Sequence, residues 1–554
     1  MLYANINEKT MGAKVLLKNF ELRLHTSEKV GFLGRNGTGK TTLMNLLTQK
    51  DTDYDGDITI PKHTVLMATS QEHTHAHAEA KTTLDHIAGK LPKFSELHTI
   101  ITTYPEHMGD NMKKMTVYTD ALQEFSDLGY YEIENSLEKL FDAYQLNNDL
   151  LAQDFASLSG GQKRLVELIA IQLAQPHIAL LDEPTNHMDY VGKEAFISWL
   201  RNTPSSVLVI SHDRDVLKNV DRVVELKDMK AFSYTGNYDA YLTQNATKTS
   251  NAINEFQTSQ KRIKNIKEQI EYARARAPRY AGKAGKNPWV VMQEKLEKEL
   301  KTILEDHEKP SFWIDQESAE GLNPKMADSY QKFKAKNIRL HNTEKQLSTS
   351  TVLRVDDVSL GYDPEAPLFK NCTFSLGSND RLHVVGRNGA GKTTLVRAIL
   401  DAAAHKKPET LIGRGVIECS PSLRLSLYEQ EIGPELLQMT LYEAIEHIYR
   451  TKKMAAPEQT ILKDMGNYLF NPQVDRDLPV TSLSGGQKAR LQLIRLLVGE
   501  PNLLILDEPT NHLDLPSIEE LENALKKYTG AIMYITHDSY FARNIGGKTL
   551  KIGS

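Results

Sequence analysis

Cysteine is almost absent from this 554-residue chain, which holds two, Cys372 and Cys419. Two thiols exclude a disulfide framework and cannot alone complete a four-ligand zinc or iron–sulfur site. They fit a reducing compartment, the cytoplasm. Long apolar runs are also missing: no stretch reaches the ~18 residues that a membrane-crossing helix needs, so no membrane domain is expected. The start, Met1-Leu2-Tyr3-Ala4-Asn5, lacks the basic residues and apolar stretch of a secretory signal. An excess of one charge is missing as well. Sixty-seven Lys and Arg against 72 Asp and Glu leave a net charge of −5, so any affinity for nucleic acid must be local. What is present, 40% hydrophobic and 25% charged residues, suits a folded protein, and the length calls for two or more domains.

The chain repeats itself. Gly34-Arg35-Asn36-Gly37-Thr38-Gly39-Lys40-Thr41 returns as Gly386-Arg387-Asn388-Gly389-Ala390-Gly391-Lys392-Thr393. Leu158-Ser159-Gly160-Gly161-Gln162, Leu181-Asp182-Glu183-Pro184-Thr185-Asn186-His187 and Ser211-His212-Asp213 recur at Leu483, Leu506 and Thr536, each 325 residues on. The glycine-rich loop recurs 352 residues on, so the first copy carries 27 extra residues between that loop and its Leu-Ser-Gly-Gly-Gln. These are expected as a helical insertion within about 91–131. Copy one spans 1–244, copy two 351–554, and a charged segment, 245–350, lies between. Both copies read as α/β, with apolar runs (Val207–Ile210, Leu503–Leu506) ahead of the motif loops and helical patterns after them.

The motifs carry phosphate chemistry. Val30–Leu33 reads as a strand and Thr42–Leu47 as a helix, the context a phosphate loop requires. Gly34, Asn36, Gly37 and Gly39, with Gly386, Asn388, Gly389 and Gly391, let backbone N–H groups wrap phosphates at a helix N-terminus. Lys40 and Lys392 reach the β- and γ-phosphates. Thr41 and Thr393 offer hydroxyls to Mg²⁺, and Thr42 and Thr394 complete each loop. Asp182 and Asp507, at strand ends, orient the metal. Glu183 and Glu508 follow, placed to orient or deprotonate the attacking water. His212 and His537 sit at strand ends as partners for a γ-phosphate. Gln71 and Gln430 are further candidates for metal or water. His73, His75 and His77 alternate after Gln71; they are read as a surface loop and assigned no metal.

This order of motifs resembles the ATP-binding cassette superfamily. The resemblance implies that the Ser-Gly-Gly-Gln loop of one cassette completes the ATP site of the other. Ser484, Gly485, Gly486 and Gln487 would then cover ATP held by Lys40, and Ser159, Gly160, Gly161 and Gln162 would cover ATP held by Lys392. Each loop opens a helix (Lys163–Leu173, Lys488–Leu497) whose N-terminus favours negative charge. Asp189 and Asp514 match the family's interface aspartates. Tyr362 fits the family's adenine-stacking aromatic; in copy one Met11 takes that place. Two hydrolysing sites are expected.

The middle segment steps apolar residues at helical spacing: Phe256, Ile263, Ile266 and Ile270, then Met292, Leu296, Leu300 and Leu304. Two antiparallel helices are expected. Between them Arg274, Arg276, Arg279, Lys283 and Lys286, with Tyr280 and Trp289 and no acidic residue, form a basic tip suited to phosphates and bases. With the tandem cassettes and Tyr234-Thr235-Gly236-Asn237-Tyr238-Asp239-Ala240-Tyr241, this resembles the ABC-F family of translation factors. The resemblance implies a monomer that binds the ribosomal tRNA exit site when ATP closes it. Its linker would reach large-subunit rRNA and peptidyl-site tRNA, and the insertion in copy one would be a short arm. It admits a second role, ribosome protection against antibiotics. A transporter ATPase and a zinc-bearing DNA-repair ATPase fit less well, the first for its lack of a basic hairpin, the second for its need of cysteine.

Overall fold

The computed structural model describes all residues except 13, 70–81, 108–110, 187, 280–286, 306–350, 364, 413–414, 429–431, 469, 484, 512 and 554. The chain forms two compact units, Met1–Tyr238 with Ile338–Ser554, and Asp239–Asn337.

In the larger unit, copy one begins with β1 (Leu2–Met11) and β2 (Lys14–Leu24), an antiparallel hairpin. Then come β3 (Lys29–Gly34), α1 (Lys40–Leu47), β4 (Asp55–Thr59) and β5 (Leu66–Ala68). The helices α2 (Thr83–Lys90), α3 (Phe94–His107), α4 (Met112–Asp127), α5 (Ile133–Ala143) and α6 (Gly160–Ala174) follow. The copy closes with β6 (Ile178–Asp182), α7 (Tyr190–Asn202), β7 (Ser206–Ile210), α8 (Arg214–Leu217), β8 (Arg222–Lys227) and β9 (Lys230–Thr235). The main sheet runs β5-β6-β7-β3-β8-β9, parallel except for β9. Strands β6 and β7 are buried along their whole length, as parallel strands covered on both faces must be, which is why they read as unbroken apolar runs.

Two helices, α3 and α4, occupy the interval where the insertion was expected. They pack through Leu97, Ala121, Phe125 and Tyr130, and the Tyr130 hydroxyl donates to the Pro92 carbonyl at 2.6 Å.

Copy two repeats the plan with β10 (Thr351–Leu360), β11 (Phe369–Gly377), β12 (Arg381–Val385), α11 (Lys392–Ala403), β13 (Leu411–Ile412), β14 (Val416–Cys419) and β15 (Leu425–Tyr428). Then come α12 (Pro434–Leu437), α13 (Leu441–Thr451), α14 (Glu458–Asn467), α15 (Gly485–Leu497), β16 (Leu503–Asp507), α16 (Leu515–Lys527), β17 (Ala531–Ile535), α17 (Ser539–Ile545) and β18 (Lys548–Lys551). The sheet order β15-β16-β17-β12-β18 matches the five parallel strands of copy one, β5-β6-β7-β3-β8. In both copies the strand ahead of the glycine-rich loop lies beside the strand that ends at the histidine, and that strand lies beside the one ending in aspartate. The three motifs therefore meet at the carboxyl edge of one sheet, where ligands bind in open α/β folds.

The smaller unit holds most of a 39-residue helix, α9 (Tyr238–Arg276), and α10 (Pro288–Glu305). Ion pairs Arg262–Glu299 (2.6 Å) and Arg274–Glu297 (3.3 Å) join them side by side, antiparallel. Ile263, Ile266, Ile270 and Ala273 of α9 are buried. The helix starts at Tyr238, ahead of the expected linker start at 245, because no Pro or Gly interrupts the sequence from Tyr238 to Arg276. Among the described residues no helix is long and apolar enough to cross a membrane.

Candidate functional site

The glycine-rich loops take the shape their glycines permit. Gly37 and Gly39 have φ of +76° and +104°, and Gly389 and Gly391 of +81° and +94°. Positive φ is open to glycine at little cost, and it turns successive N–H groups to one side. Lys40 folds back over its loop and donates to the Gly34 carbonyl (2.6 Å) and Asn36 Oδ1 (3.4 Å). Lys392 donates to the Gly386 carbonyl (2.7 Å) and lies 3.4 Å from His537 Nε2. Gly34 and Gly386 thus serve the lysines through their carbonyls, while Thr394 is buried inside α11.

Hard oxygen donors stand side by side at each loop. Thr41 Oγ1 is 3.5 Å from Asp182 Oδ2, and Thr393 Oγ1 is 3.2 Å from Asp507 Oδ2. Among the described residues no group of three or more His, Cys, Asp or Glu could hold a metal alone. A hydroxyl and one carboxylate suit Mg²⁺, which keeps several waters and takes phosphate oxygens as its other ligands.

Glu183 and Glu508 are held in left-handed backbone, φ +47° and +46°, and their N–H groups donate to Ile210 and Ile535 of the neighbouring strands. Burial pushes the Glu183 carboxyl up to about 8, with Asp182 adding to the effect, and pushes Glu508 up to about 7. Burial, helped by the nearby lysines, lowers His212 to about 3 and His537 to about 4, so both imidazoles are neutral. His212 Nε2 lies 3.5 Å from Glu183 Oε1, yet neither ring nitrogen of His212, nor Oε1 of Glu183 or Glu508, makes a hydrogen bond. Buried polar atoms without partners are expensive, and a phosphate or an attacking water would satisfy them. The residues therefore fit ATP and Mg²⁺.

The two copies face each other. The Asn36 N–H donates to Asp514 Oδ2 (3.1 Å), and the Asn388 N–H donates to Asp189 Oδ2 (3.2 Å). Each interface aspartate also caps the helix that follows it, through Gly192 N and Ser517 N. One continuous cavity of about 1220 Å³ is lined from both copies, among others by Lys40, Ser159, Glu183, Lys392, Glu508 and His537. That exceeds the ~300–1,000 Å³ usual for a single ligand.

Ser159 caps α6 and its hydroxyl accepts from Gln162 N, while Gln162 Oε1 accepts from the Ser159 N–H. Gly160 and Gly161 form the first turn of that helix. The helix starts there rather than at Lys163 because this reciprocal cap satisfies the free N–H groups of the glycine turn. In copy two Gly485, Gly486 and Gln487 likewise open α15. Ser484 lies outside the described residues, as do Gln71, Gln430 and the histidines 73, 75 and 77. Met11 is 69% exposed and lines the cavity; Tyr362 is 72% exposed, in the turn after β10.

At the linker tip Arg276 lies over the rings of Tyr272 (4.4 Å) and Trp289 (5.4 Å), and Arg274 pairs with Glu297. Arg279 ends a short turn of helix after α9. Tyr280, Lys283 and Lys286 fall outside the described residues.

Sequence reasoning missed several residues here. Arg164 donates to the Asp182 carbonyl, and the buried Lys193 pairs with the half-buried Asp215, and with Asp213 of the histidine motif, beside His537. Their signal was a break in the repeat: 325 residues on, Arg164 is matched by Ala489 and Lys193 by Ile518.

A family model described as ABC transporter matches residues 17–186 and 369–511, and a second of the same description matches 224–312. The putative ATP-binding protein YdiF of Bacillus subtilis (strain 168) is 29% identical, over 100% of this chain and 80% of its own. The energy-dependent translational throttle protein EttA of Mycobacterium tuberculosis (strain ATCC 25618 / H37Rv) is 27% identical, over 96% of this chain and 88% of its own. Among solved structures, the complex of an archaeal ribosomal stalk protein with an archaeal ribosome recycling factor aligns at a TM-score of 0.58 and 16% identity. That alignment covers 99% of this chain and 87% of the other, and it shows a shared fold. The chain belongs to the ABC transporter family of ATP-binding proteins, in its tandem-cassette ABC-F branch.

Proposed function

We propose that this chain is a cytoplasmic, monomeric ATP hydrolase that closes its cassettes on two ATP molecules and in that state binds the ribosome at the tRNA exit site. The linker then acts on peptidyl-site tRNA and the peptidyl-transferase centre, and hydrolysis releases the factor. The two-site reading rests on one observation above all, the reciprocal contacts Asn36–Asp514 and Asn388–Asp189. Each joins the phosphate loop of one cassette to the interface aspartate of the other, so what binds at one loop is felt at the opposite cassette.

Within a site, Lys40 or Lys392 gathers phosphate charge, and Glu183 or Glu508 takes a proton from the attacking water. The neutral His212 or His537 donates to the γ-phosphate. Thr41 with Asp182, and Thr393 with Asp507, hold Mg²⁺, which when bound offsets phosphate charge. Ser159 to Gln162, and Ser484 to Gln487, close each site from across the interface. Tyr362 stacks on adenine in copy two. The ribosomal part of the reading is supported by the relatives, one of which is named a translational throttle protein. It is supported too by the composition of the linker tip, whose Arg274, Arg276, Arg279, Lys283 and Lys286, with Tyr280 and Trp289, are the charges and rings that RNA binding would use.

The double variant Glu183→Gln with Glu508→Gln is expected to bind ATP without hydrolysing it and to co-sediment with ribosomes in ATP. In ADP, or with Lys40→Ala and Lys392→Ala, it should stay in the supernatant. Failure to co-sediment, with ATP hydrolysis intact in the parent, overturns the ribosomal reading and leaves the ATPase reading standing.

A further inference from the structure

The two catalytic histidines are not held alike. Each Nε2 approaches its own glutamate, His212 at 3.5 Å from Glu183 Oε1 and His537 at 3.3 Å from Glu508 Oε1, but His537 Nε2 also lies 3.4 Å from Lys392 Nζ, whereas neither ring nitrogen of His212 makes a hydrogen bond. The motif itself is matched, Ser211-His212-Asp213 against Thr536-His537-Asp538, but the residues that follow it and those that pack behind each loop are not.

Behind His537 stands Lys193, from α7 of the opposite cassette. It is 6% exposed. Its ammonium sits 2.9 Å from Asp213 Oδ2 and 2.5 Å from Asp215 Oδ2, and donates to the His537 carbonyl at 3.2 Å. Asp215 extends the link by accepting from the Ser539 hydroxyl at 2.8 Å. Lys193 therefore touches both histidine loops at once: Asp213 is the next residue after His212, and His537 is the opposite histidine itself. The repeat-related position in copy two is Ile518, whose side chain has no donor for the His212 carbonyl. The partners are unlike as well, since Arg214 and Asp215 correspond to Ser539 and Tyr540. A lone buried ammonium between two carboxylates and a carbonyl stays charged and directional, because moving it away would strand the carboxylates.

We propose that Lys193 is a positioning residue for the site that holds Lys392: it pins the His537 backbone from across the interface. It thereby makes the two ATP sites unequal, with the Lys392 site more rigidly organised and tied to the loop of His212. The inference rests on the reading of this chain as a two-site ATPase. It adds an asymmetry that the matched motifs do not contain. Lys193 touches neither nucleotide nor water in this scheme and acts through His537.

The test isolates each site. Glu183→Gln leaves the Lys392 site as the hydrolysing one, and Glu508→Gln leaves the Lys40 site. Adding Lys193→Met is expected to lower kcat of the lone Lys392 site by about tenfold with KM changed less than about twofold. The kcat of the lone Lys40 site should fall by a clearly smaller factor. Lys193→Arg, which keeps the charge, should recover much of the loss. Equal losses at both sites, or none at the Lys392 site, overturn the proposal. Amide hydrogen exchange of the nucleotide-free protein supplies a readout that does not need hydrolysis. Lys193→Met should speed exchange at Asp538, Tyr540 and Phe541, whose N–H groups are held by side chains of the His537 loop, and Lys193→Arg should not. Unchanged exchange there overturns the proposal whether or not either lone site hydrolyses ATP, whereas absence of hydrolysis in the parent would separately sink the ATPase reading.

Discussion

At Glu183 and Glu508 two kinds of strain coincide. The backbone is left-handed in a residue with a side chain, and a carboxyl is buried where ionisation is costly. Both point to chemistry, since a fold without use for them would have glycine or an apolar residue there. The sign of the pH effect follows. A carboxyl can take a proton from water only when ionised, so raised values of about 8 and about 7 put the loss of activity on the acid side. ATP hydrolysis is expected to fall as pH is lowered through this range, and a rate profile between about pH 6 and 9 checks it. A flat profile would argue against either carboxyl as the base. The glycine loops give a second residue-scale prediction. Gly389→Ala and Gly391→Ala both force alanine into left-handed backbone, at about 1–2 kcal/mol each. At Gly389 the new methyl meets nothing within 4 Å, but at Gly391 it lies 3.1 Å from the Phe369 ring. Denaturant midpoints should therefore fall further for Gly391→Ala, and its ATP affinity with them. Such positions were legible in the sequence because the loop is local: spacing alone fixes which glycine turns and which lysine reaches. Lys193 was not legible, because its partners are 20 and more residues away along the chain or in the other cassette, and only the mismatch with Ile518 marked it.

Elements carry the motifs into place, and here the sequence was read unevenly. Strands β6, β7, β16 and β17 announced themselves as apolar runs, since parallel strands are buried on both faces. The starts of α6 and α15 were read too late, at Lys163 and Lys488, because two glycines look like a loop. The reciprocal bonds between Ser159 and Gln162 make those glycines a first turn instead. The Ser159 hydroxyl thus has a structural duty before any nucleotide arrives. Ser159→Ala is expected to cost about 1 kcal/mol through the lost cap. Ser159→Asp should retain the cap while placing a negative charge where a γ-phosphate is proposed to sit. If stability falls for alanine alone while ATP-driven closure is lost more severely for aspartate, the cap and the phosphate contact are separate roles. Thermal unfolding without nucleotide, set beside hydrolysis in the Glu183→Gln background, distinguishes them. Equal behaviour of the two variants in both assays would leave the cap as the whole role of Ser159.

For the whole molecule the question is what joins the cassettes before ATP does. The interface aspartates supply hydrogen bonds related by the repeat, but a buried charged contact is one-sided. Arg214 Nη1 of copy one meets Glu522 Oε1 of copy two at 3.0 Å, both side chains about 5% exposed. Arg214 also lies 5.4 Å from the Tyr540 ring, and Glu522 Oε2 accepts from Asn544 Nδ2 at 2.8 Å. The repeat supplies no second such pair, because Arg214 is matched by Ser539 and Glu522 by Ile197. A buried ion pair adds little over well-packed apolar residues, yet removing one partner strands the other charge at about 3–5 kcal/mol. Arg214→Met and Glu522→Met should therefore each lower the unfolding midpoint markedly, while the double variant recovers most of the loss. Their non-additivity, read from a double-mutant cycle of unfolding free energies, measures the link across the cassettes. If the pair holds the cassettes together ahead of nucleotide, the single variants should also need more ATP for half-maximal hydrolysis, with the maximal rate at saturating ATP changed less. Additive stability losses with unaltered ATP dependence would mean that Arg214 and Glu522 matter only within their own cassettes, and that the interface aspartates and Lys193 register the partner without them.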